Sequence, residues 1–492
     1  HKLFERWSAI DRKGCAVLGA PIGLSQANHC CCQTIGTRMS VSSMASQKPK
    51  DISQSLYRAI WRWHFFAGLL VIPFMLNLAV TGGLYLFKDE IDNTVFAYRN
   101  VVTPRSEVLA PSLLIRNAEA AVPGATILRY RDPSTPTQSA RVILGTDAGK
   151  VLVFVDPYTG SVLGKVAEKQ EFNWVVRKIH SLVYFGLALD RVVEAVGGLA
   201  LILVVTGFYL WWPRKQKGGV VTVRGTPDKR IFWRDLHAVT GAVAGALIFF
   251  LAITGMPWSA YWGDKLNATL ADKGLGYPTQ LWNDVPVSKI PTKDVLTEAG
   301  WTIENAPVPA STADGAMKSV GLDRIVASAR AEGITPGFEV SLPSGPEGVY
   351  TAAIFPDDIA MQRTIHFDQY SGKPLVDLKF ADYGAGAKAI EFGIGVHMGQ
   401  YWGLVNQIVM LVTCFAIILA AVSAVVMWWK RRPSGRLGVP PMPSQKSVFA
   451  ALTLVILGFG VLFPLTGFAI LAMLVLDQLI QRVPSPLKRV FS

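Results

Sequence analysis

Cysteine is nearly absent from the body of the chain. Four of its five cysteines are Cys15, Cys30, Cys31 and Cys32, and the fifth, Cys414, lies inside an apolar run. No disulfide framework therefore holds the segments between the apolar runs, and Cys414 reads as a small core residue. Charge is scarce too: 17% of residues are charged against 51% hydrophobic, which excludes an ordinary soluble chain. Zinc-type ligand spacing, a phosphate-binding glycine loop and a nicotinamide or flavin fingerprint are all missing. The net charge of +13 does not point to nucleic acid, because the basic residues cluster beside apolar runs, where they set topology. Residues 1–52 show no apolar periodicity and predict a disordered extension, with Met39 or Met44 as alternative starts. The Cys30-Cys31-Cys32 run belongs to that extension and reads as no metal site.

What is present is a series of apolar runs long enough to cross a bilayer. The first covers 53–87. Arg58 and Arg62 lie at its start and Lys88, Asp89, Glu90 and Asp92 after its end, which places its N-terminal end inside. Residues 88–172 predict an external α+β domain, with a helix over Pro111–Val122, strands near 125–130, 140–144 and 151–155, and an Asp156-to-Gly160 turn. Residues 173–213 exceed one crossing, and they predict an interfacial helix holding His180, a break near Gly186 and a second span ending at Trp212. The 214–234 loop carries seven basic residues against one acid, Asp228, and reads as cytoplasmic. A third span (235–258), a second and larger external α+β domain (259–387), and an interfacial helix plus fourth span (388–430) follow. Residues 431–446 form another cytoplasmic loop. The last apolar stretch, 447–481, holds Gly458, Gly460 and Pro464. It reads as one kinked helix or a hairpin, the hairpin favoured by Arg482, Lys488 and Arg489 near the 482–492 tail.

These segments repeat. Trp61-Arg62-Trp63-His64 leads to Thr81-Gly82, and Trp233-Arg234-Asp235-Leu236-His237 leads to Thr254-Gly255; in each copy the histidine precedes the threonine by 17 residues. His180 lies 31 residues before Trp211, and His397 lies 31 before Trp428. Residues 153–163 match 365–375 at a constant offset, as Asp156-Pro-Tyr-Thr-Gly160 and Asp368-Gln-Tyr-Ser-Gly372 show. The expected fold is an α-helical integral membrane protein with two α+β external domains, built as two tandem parallel repeats plus a C-terminal helix or helical hairpin. Parallel repeats are related by a pseudo-twofold axis along the membrane normal. That axis sets His64 opposite His237 near the inner face, and His180 opposite His397 near the outer face.

Paired histidines at matched depth suit axial ligation of haem iron by neutral imidazole. Gly68 and Gly241, one turn beyond His64 and His237, would let a flat macrocycle approach the backbone. Three other readings stand beside this one. A histidine in a span often makes a helix–helix hydrogen bond. A proton relay is also possible for intramembrane ionisable groups, although no carboxylate chain follows these histidines across the spans. A bare metal site lacks the carboxylate or thiolate that would complete its ligand set. The aromatics around the histidines, among them Trp61, Trp63, Phe65, Phe66, Trp233, Tyr184, Tyr401 and Trp402, read either as macrocycle packing or as an interfacial belt. His366, on an expected strand opposite Phe154 of the first copy, reads as a structural residue.

The His-x3-Gly…Thr-Gly spans, the Thr206-to-Arg214 ending Thr-Gly-Phe-Tyr-Leu-Trp-Trp-Pro-Arg, the Asp-x-Tyr-[Thr/Ser]-Gly hairpins and Phe463-Pro-Leu-Thr-Gly467…Asp477 resemble the PepSY-associated transmembrane family over about residues 53–482. The resemblance implies PepSY-like external domains and a bacterial inner (cytoplasmic) membrane location with both domains in the periplasm. Members include di-haem ferric-siderophore reductases, which implies two b-type haems here, with His64, His237, His180 and His397 as iron ligands. It further implies a ferric siderophore or other ferric chelate as electron acceptor, and quinol or a cytoplasmic reductase as donor. The family is functionally mixed. A non-enzymatic scaffold whose PepSY-like domains restrain a periplasmic partner, or a transporter, are the alternatives. The second copy departs at Ser423-Ala424, which stands where the first has Thr206-Gly207; this is expected to affect packing and not ligation.

Overall fold

The structure, a computed structural model, describes residues 49–214, 218–312 and 318–482. The Cys30-Cys31-Cys32 run and the expected extension up to residue 48 lie outside the described residues, as does the tail from 483.

The chain opens with α1 (Pro49–Tyr85), a 37-residue apolar helix that carries Pro73 in its interior. Neighbouring helices can re-satisfy the backbone groups that such a proline frees in a span. Two short helices, α2 (Lys88–Thr94) and α3 (Ala97–Asn100), lead to α4 (Pro111–Ala121), whose proline sits at its first turn. Proline is favoured there because its missing N–H would have no helical partner anyway. Four strands follow: β1 (Thr126–Arg131), β2 (Ala140–Thr146), β3 (Gly149–Val155) and β4 (Val162–Ala167). Then come α5 (Phe172–His180), α6 (Leu187–Trp211) and α7 (Arg230–Gly255). The break expected near Gly186 is found there, at φ 125°, a conformation open to glycine. The offset that relates His180 to His397 leads from Gly186 to Gly403, at φ 57° before the fourth long helix.

Beyond α7 lie α8 (Trp262–Asp272), β5 (Val287–Pro291), α9 (Thr292–Val295), β6 (Pro307–Pro309) and α10 (Leu322–Ala331). They are followed by β7 (Glu339–Ser341), β8 (Val349–Ile354), β9 (Arg363–Asp368) and β10 (Pro374–Lys379). The chain closes with α11 (Ala385–His397), α12 (Leu404–Arg431), α13 (Lys446–Leu462) and α14 (Pro464–Arg482). Among the described residues four helices are long and apolar enough to cross a membrane: α1, α6, α7 and α12. α6 and α12 each pack against both α1 and α7, so the four form a bundle with α1 and α7 on one diagonal.

The strands from segments 88–172 and 259–387 form one sheet of eight, in the order β10-β9-β8-β7-β1-β2-β3-β4. The join is the antiparallel β1–β7 pair, with Tyr130 opposite Val340. Sequence alternation could assign each strand a buried face, but it carried no signal for this pairing across some two hundred residues. Arg131 pairs with Glu339 across the join, and Ser112 at the start of α4 donates to Asp323 at the start of α10. α4 and α10 cover one face of the sheet around a core that includes Leu114, Ile325, Phe338 and Phe367. Full burial of a side chain such as Phe338 or Phe367 contributes about 1.5–3 kcal/mol. The two matching turns are built alike. Asp156 Oδ1 accepts from the Tyr158 and Thr159 amides, and Asp368 Oδ1 from Tyr370 and Ser371. His366 is buried on β9 opposite Thr351, with its Nδ1 2.9 Å from the threonine hydroxyl, in keeping with a structural role.

The last apolar stretch is two helices that break at Pro464. Phe449 near the start of α13 and Met473, Leu474 and Asp477 near the end of α14 line the same crevice beside Trp63, so the pair doubles back as a hairpin. Glycine is required at the bend, because a Cβ on Gly460 would stand 2.6 Å from the Gly467 Cα.

Segment 277–306 covers part of the second half of the sheet, and Glu304 within it titrates near neutrality. Burial, opposed by Lys293, pushes its carboxyl up to about 7. A raised carboxyl means the folded state binds the extra proton. The associated stability is complete below the ordinary carboxyl range and is lost as pH rises through about 7. Glu304→Gln is therefore expected to flatten the fall in Tm between pH 5 and pH 8. An unchanged profile in the variant would assign that fall to another group.

Candidate functional site

Each of the four sequence-selected histidines is positioned by a different helix. His64 lies on α1, two residues beyond Arg62. The Arg62 guanidinium binds Asp477 of α14 at 2.5 Å and the Pro440 carbonyl at 2.5 Å. His237 lies on α7, two residues beyond Asp235. That carboxylate is fully buried and is held by Arg224 at 2.7 Å and Arg234 at 2.5 Å. The base of each diagonal helix is thus clamped just before its histidine. His180 and His397 are the last residues of α5 and α11. Asn77 of α1 holds the Ile179 carbonyl at 3.0 Å, and Asn406 of α12 holds the Val396 carbonyl at 3.0 Å, so the turn presenting each ring is pinned to a long helix.

The His64 and His237 rings face each other across the bundle with centres 6.3 Å apart and planes at 77°. A metal–imidazole bond is about 2 Å, and the ring centre lies about 1 Å behind the nitrogen, so two imidazoles sharing one ion have centres about 6 Å apart. The observed spacing matches that arrangement.

The hydrogen bonds decide which nitrogen is available. Nδ1 of His64 is 2.9 Å from Thr206 Oγ1, Nδ1 of His180 is 2.9 Å from Thr81 Oγ1, and Nδ1 of His397 is 2.9 Å from Thr254 Oγ1. Each of these threonines spends its one hydroxyl proton on the carbonyl four residues back, at 2.6 Å: Ile202, Asn77 and Phe250. Toward the histidine the oxygen therefore accepts, and Nδ1 carries the hydrogen. His237 reaches the same state differently. Its Nδ1 donates to the Ala420 carbonyl at 2.8 Å, which can only accept. All four rings are left with the lone pair on Nε2, the form in which a neutral imidazole binds a metal while its other nitrogen is oriented by a partner.

The glycines beside these threonines make room for the rings. A Cβ on Gly82 would lie 3.5 Å from Cε1 of His180, and one on Gly255 3.5 Å from Cε1 of His397. On Gly207 it would lie 3.3 Å from Cε1 of His64. Thr-Gly thus works as a unit, with the hydroxyl orienting the ring and the missing side chain admitting it. Its recurrence in α1, α6 and α7 was visible in the sequence; its contact with the histidine of a distant helix was not. A Cβ on Gly241 would meet nothing within 4 Å, so open space lies one turn from His237.

The Ser423 substitution does more than alter packing. Ser423 sends its hydroxyl to the Leu419 and Ala420 carbonyls of its own helix, and His237 binds the Ala420 carbonyl directly. The partner of one histidine thus changes from a hydroxyl to a backbone carbonyl.

The neighbouring aromatics are engaged elsewhere. Trp63 stacks on Phe449, and Trp61 and Phe65 hold the Arg431 guanidinium. Trp233 donates to the Pro227 carbonyl. Tyr184, Tyr401 and Trp402 are exposed. These positions match an interfacial belt. The His180 and His397 sides meet through Arg177, one turn before His180. Its guanidinium lies 5.8 Å from the Trp258 ring centre, and the Trp258 and His397 rings meet at right angles with centres 6.5 Å apart. From His64 to Thr81, the partner of His180, α1 rises about 25 Å, most of the ~30 Å apolar thickness of a bilayer.

A profile of the PepSY-associated TM region matches residues 61–431. The chain belongs to this family. The match begins at Trp61, three residues before His64, and ends with α12, leaving the α13–α14 hairpin outside it. All four histidines lie within the PepSY-associated region, on or beside helices of membrane-spanning length. No curated protein matches the chain. Among the described residues no group of three or more His, Cys, Asp and Glu side chains is placed to hold a metal ion.

Proposed function

We propose that this PepSY-associated membrane protein carries electrons across a bacterial inner membrane through two b-type haems, reducing a ferric siderophore or similar chelate on the periplasmic side. The observation that carries this reading is the His64–His237 pair, 6.3 Å apart with both Nδ1 atoms committed to partners. His64 and His237 would be the axial ligands of the inner haem, and His180 and His397 those of the outer one. The matched sequence spacings support this reading, since tandem parallel repeats would set each pair at one depth on opposite sides of a pseudo-twofold axis. Haem iron supplies a one-electron couple whose potential follows its axial ligands and burial.

The protein's own residues hold the imidazoles at one tautomer and one angle, through Thr206, Thr81, Thr254 and the Ala420 carbonyl. The basic ends of α6 and α12, at Arg214 and Lys430-Arg431, favour the cytoplasmic side for the His64–His237 end. The sheet would then lie in the periplasm, beside His180 and His397. Electrons from quinol or a cytoplasmic reductase would enter at the inner pair. A ferric ion that gains one electron binds hard oxygen ligands less firmly, which would release it from its chelate.

A reduced-minus-oxidised spectrum of the purified protein tests the reading. It is expected to show b-type haem, and a colourless protein with full function would end the proposal. Thr81→Val keeps the shape of the residue and removes the acceptor for His180. Loss of such a partner typically lowers metal affinity by about 10–100-fold. The haem titration of this variant should show one weakened site and one of wild-type strength. Two unchanged sites would show that Thr81 does not orient a ligand.

A further inference from the structure

The two halves of the eight-stranded sheet differ on the face opposite α4 and α10. On the β10 side this face is filled, with Trp282, Ile303 and Tyr383 packed against Val376 and Leu378. On the β2–β3 side it is hollow. A cavity of about 160 Å³ lies there, between Leu152 and Phe154 of the sheet, Tyr85 at the end of α1 and Trp174 on α5.

Several charges lining it are paired: Lys88 with Asp89, Arg177 with Glu298 and Arg131 with Glu339. Arg99 and Arg141 also line it, and among the described residues neither makes an ion pair. Arg99 is only 8% exposed, and its Nε has no hydrogen-bond partner. Its guanidinium lies 5.0 Å from the Phe154 ring centre, and that of Arg141 lies 5.5 Å from the same ring. Arg141 donates a 3.2 Å bond to Asn100 Oδ1. Two carboxyls, Asp92 and Glu171, face the cavity as well, and Glu171 Oε2 is buried without a partner. A guanidinium keeps its proton at any physiological pH, and burial raises the pKa of both Asp92 and Glu171, which weakens their hold on that charge.

We infer that this cavity is a binding site for a small oxyanion-bearing molecule, held by the guanidiniums of Arg99 and Arg141. The planar fork of a guanidinium matches a carboxylate or phosphate edge. The volume corresponds to about five water molecules at liquid density, room for a carboxylate or phosphate group. Arg177 joins the cavity to the His180–His397 pair, since it lines the cavity, precedes His180 by one turn and stacks on Trp258. That the occupant is the electron acceptor rests on the electron-transfer reading; that the cavity binds an oxyanion does not.

Isothermal titration of the full chain in detergent, with citrate and separately with inorganic phosphate, tests the site. Citrate is expected to bind saturably. Arg99→Gln and Arg141→Gln should each weaken binding at least tenfold, and Asp92→Asn, which removes competing negative charge, should strengthen it. Phosphate binding with the same variant pattern would support the site and name an inorganic source for the oxyanion. No saturable binding of either probe, or binding that Asp92→Asn leaves unchanged or weakens, would overturn the inference. Among the described residues Asp92 makes no ion pair, so its variant remains informative if an arginine variant fails to fold. Citrate binding retained in His237→Ala would uphold this site even if the haem reading failed.

Discussion

His237→Ala is expected to remove the inner haem and leave the outer one, cutting the reducible haem absorbance to about half, because each haem depends on its own histidine pair. His64→Ala should give the same spectrum. His64 and His237 face each other at 6.3 Å and are bound to different helices through Nδ1, so either loss leaves a single imidazole at that level. The effect should exceed the roughly 10–100-fold drop in affinity expected when only an orienting partner is lost. Transmembrane reduction of an external ferric chelate should fall with it, since one of the two stations is gone. His397→Ala should remove the other half, and His64→Ala combined with His397→Ala should be colourless. A His237→Ala protein with full absorbance would exclude His237 as a ligand. One that lost both haems at once would mean that the pairs do not form independently.

The second large effect is expected at the α13–α14 hairpin. Asp477→Ala should destabilise the protein by about 3–5 kcal/mol, the usual result of leaving one partner of a buried ion pair behind. The side chains of Arg62 and Asp477 are 7% and 11% exposed, and the pair sits among Trp63, Phe66, Phe449 and Met473, so loss of the carboxylate leaves a buried guanidinium with the Pro440 carbonyl. Chemical unfolding in detergent measures the loss. Replacing both partners by apolar residues, Arg62→Met with Asp477→Leu, should cost less than Asp477→Ala alone, because no charge is stranded. A change of less than about 0.5 kcal/mol in Asp477→Ala, the range of an ordinary surface substitution, would show that the pair does not hold the hairpin. The position matters for function because Arg62 lies half a turn before His64, and a loosened α1 base would let that ring drift.

How much of this was legible differs from element to element. Apolar length and scarce charge marked the four long helices, and positive φ at Gly186 and Gly403 confirms breaks that the sequence suggested only at the first. Pro111 and the Asp156-to-Gly160 turn act locally, so helix and hairpin appeared where expected. The β1–β7 join was invisible, because a strand's alternation shows which face is buried and nothing about its neighbour. The cavity beside Arg99 and Arg141 was equally hidden, since it arises where α1, α3, α5 and the sheet meet.

By itself the sequence determined that this is a membrane protein of the PepSY-associated family, and it singled out His64, His180, His237 and His397 by their matched spacing. Both follow from local composition and periodicity. Tertiary structure alone decided what each histidine can do. Only packing brings Thr206, Thr81, Thr254 and the Ala420 carbonyl from other helices onto Nδ1, and only the diagonal placement of α1 and α7 sets two rings 6.3 Å apart. A ring's tautomer and its distance from another ring depend on groups far away in the chain, and spacing along one chain cannot encode them.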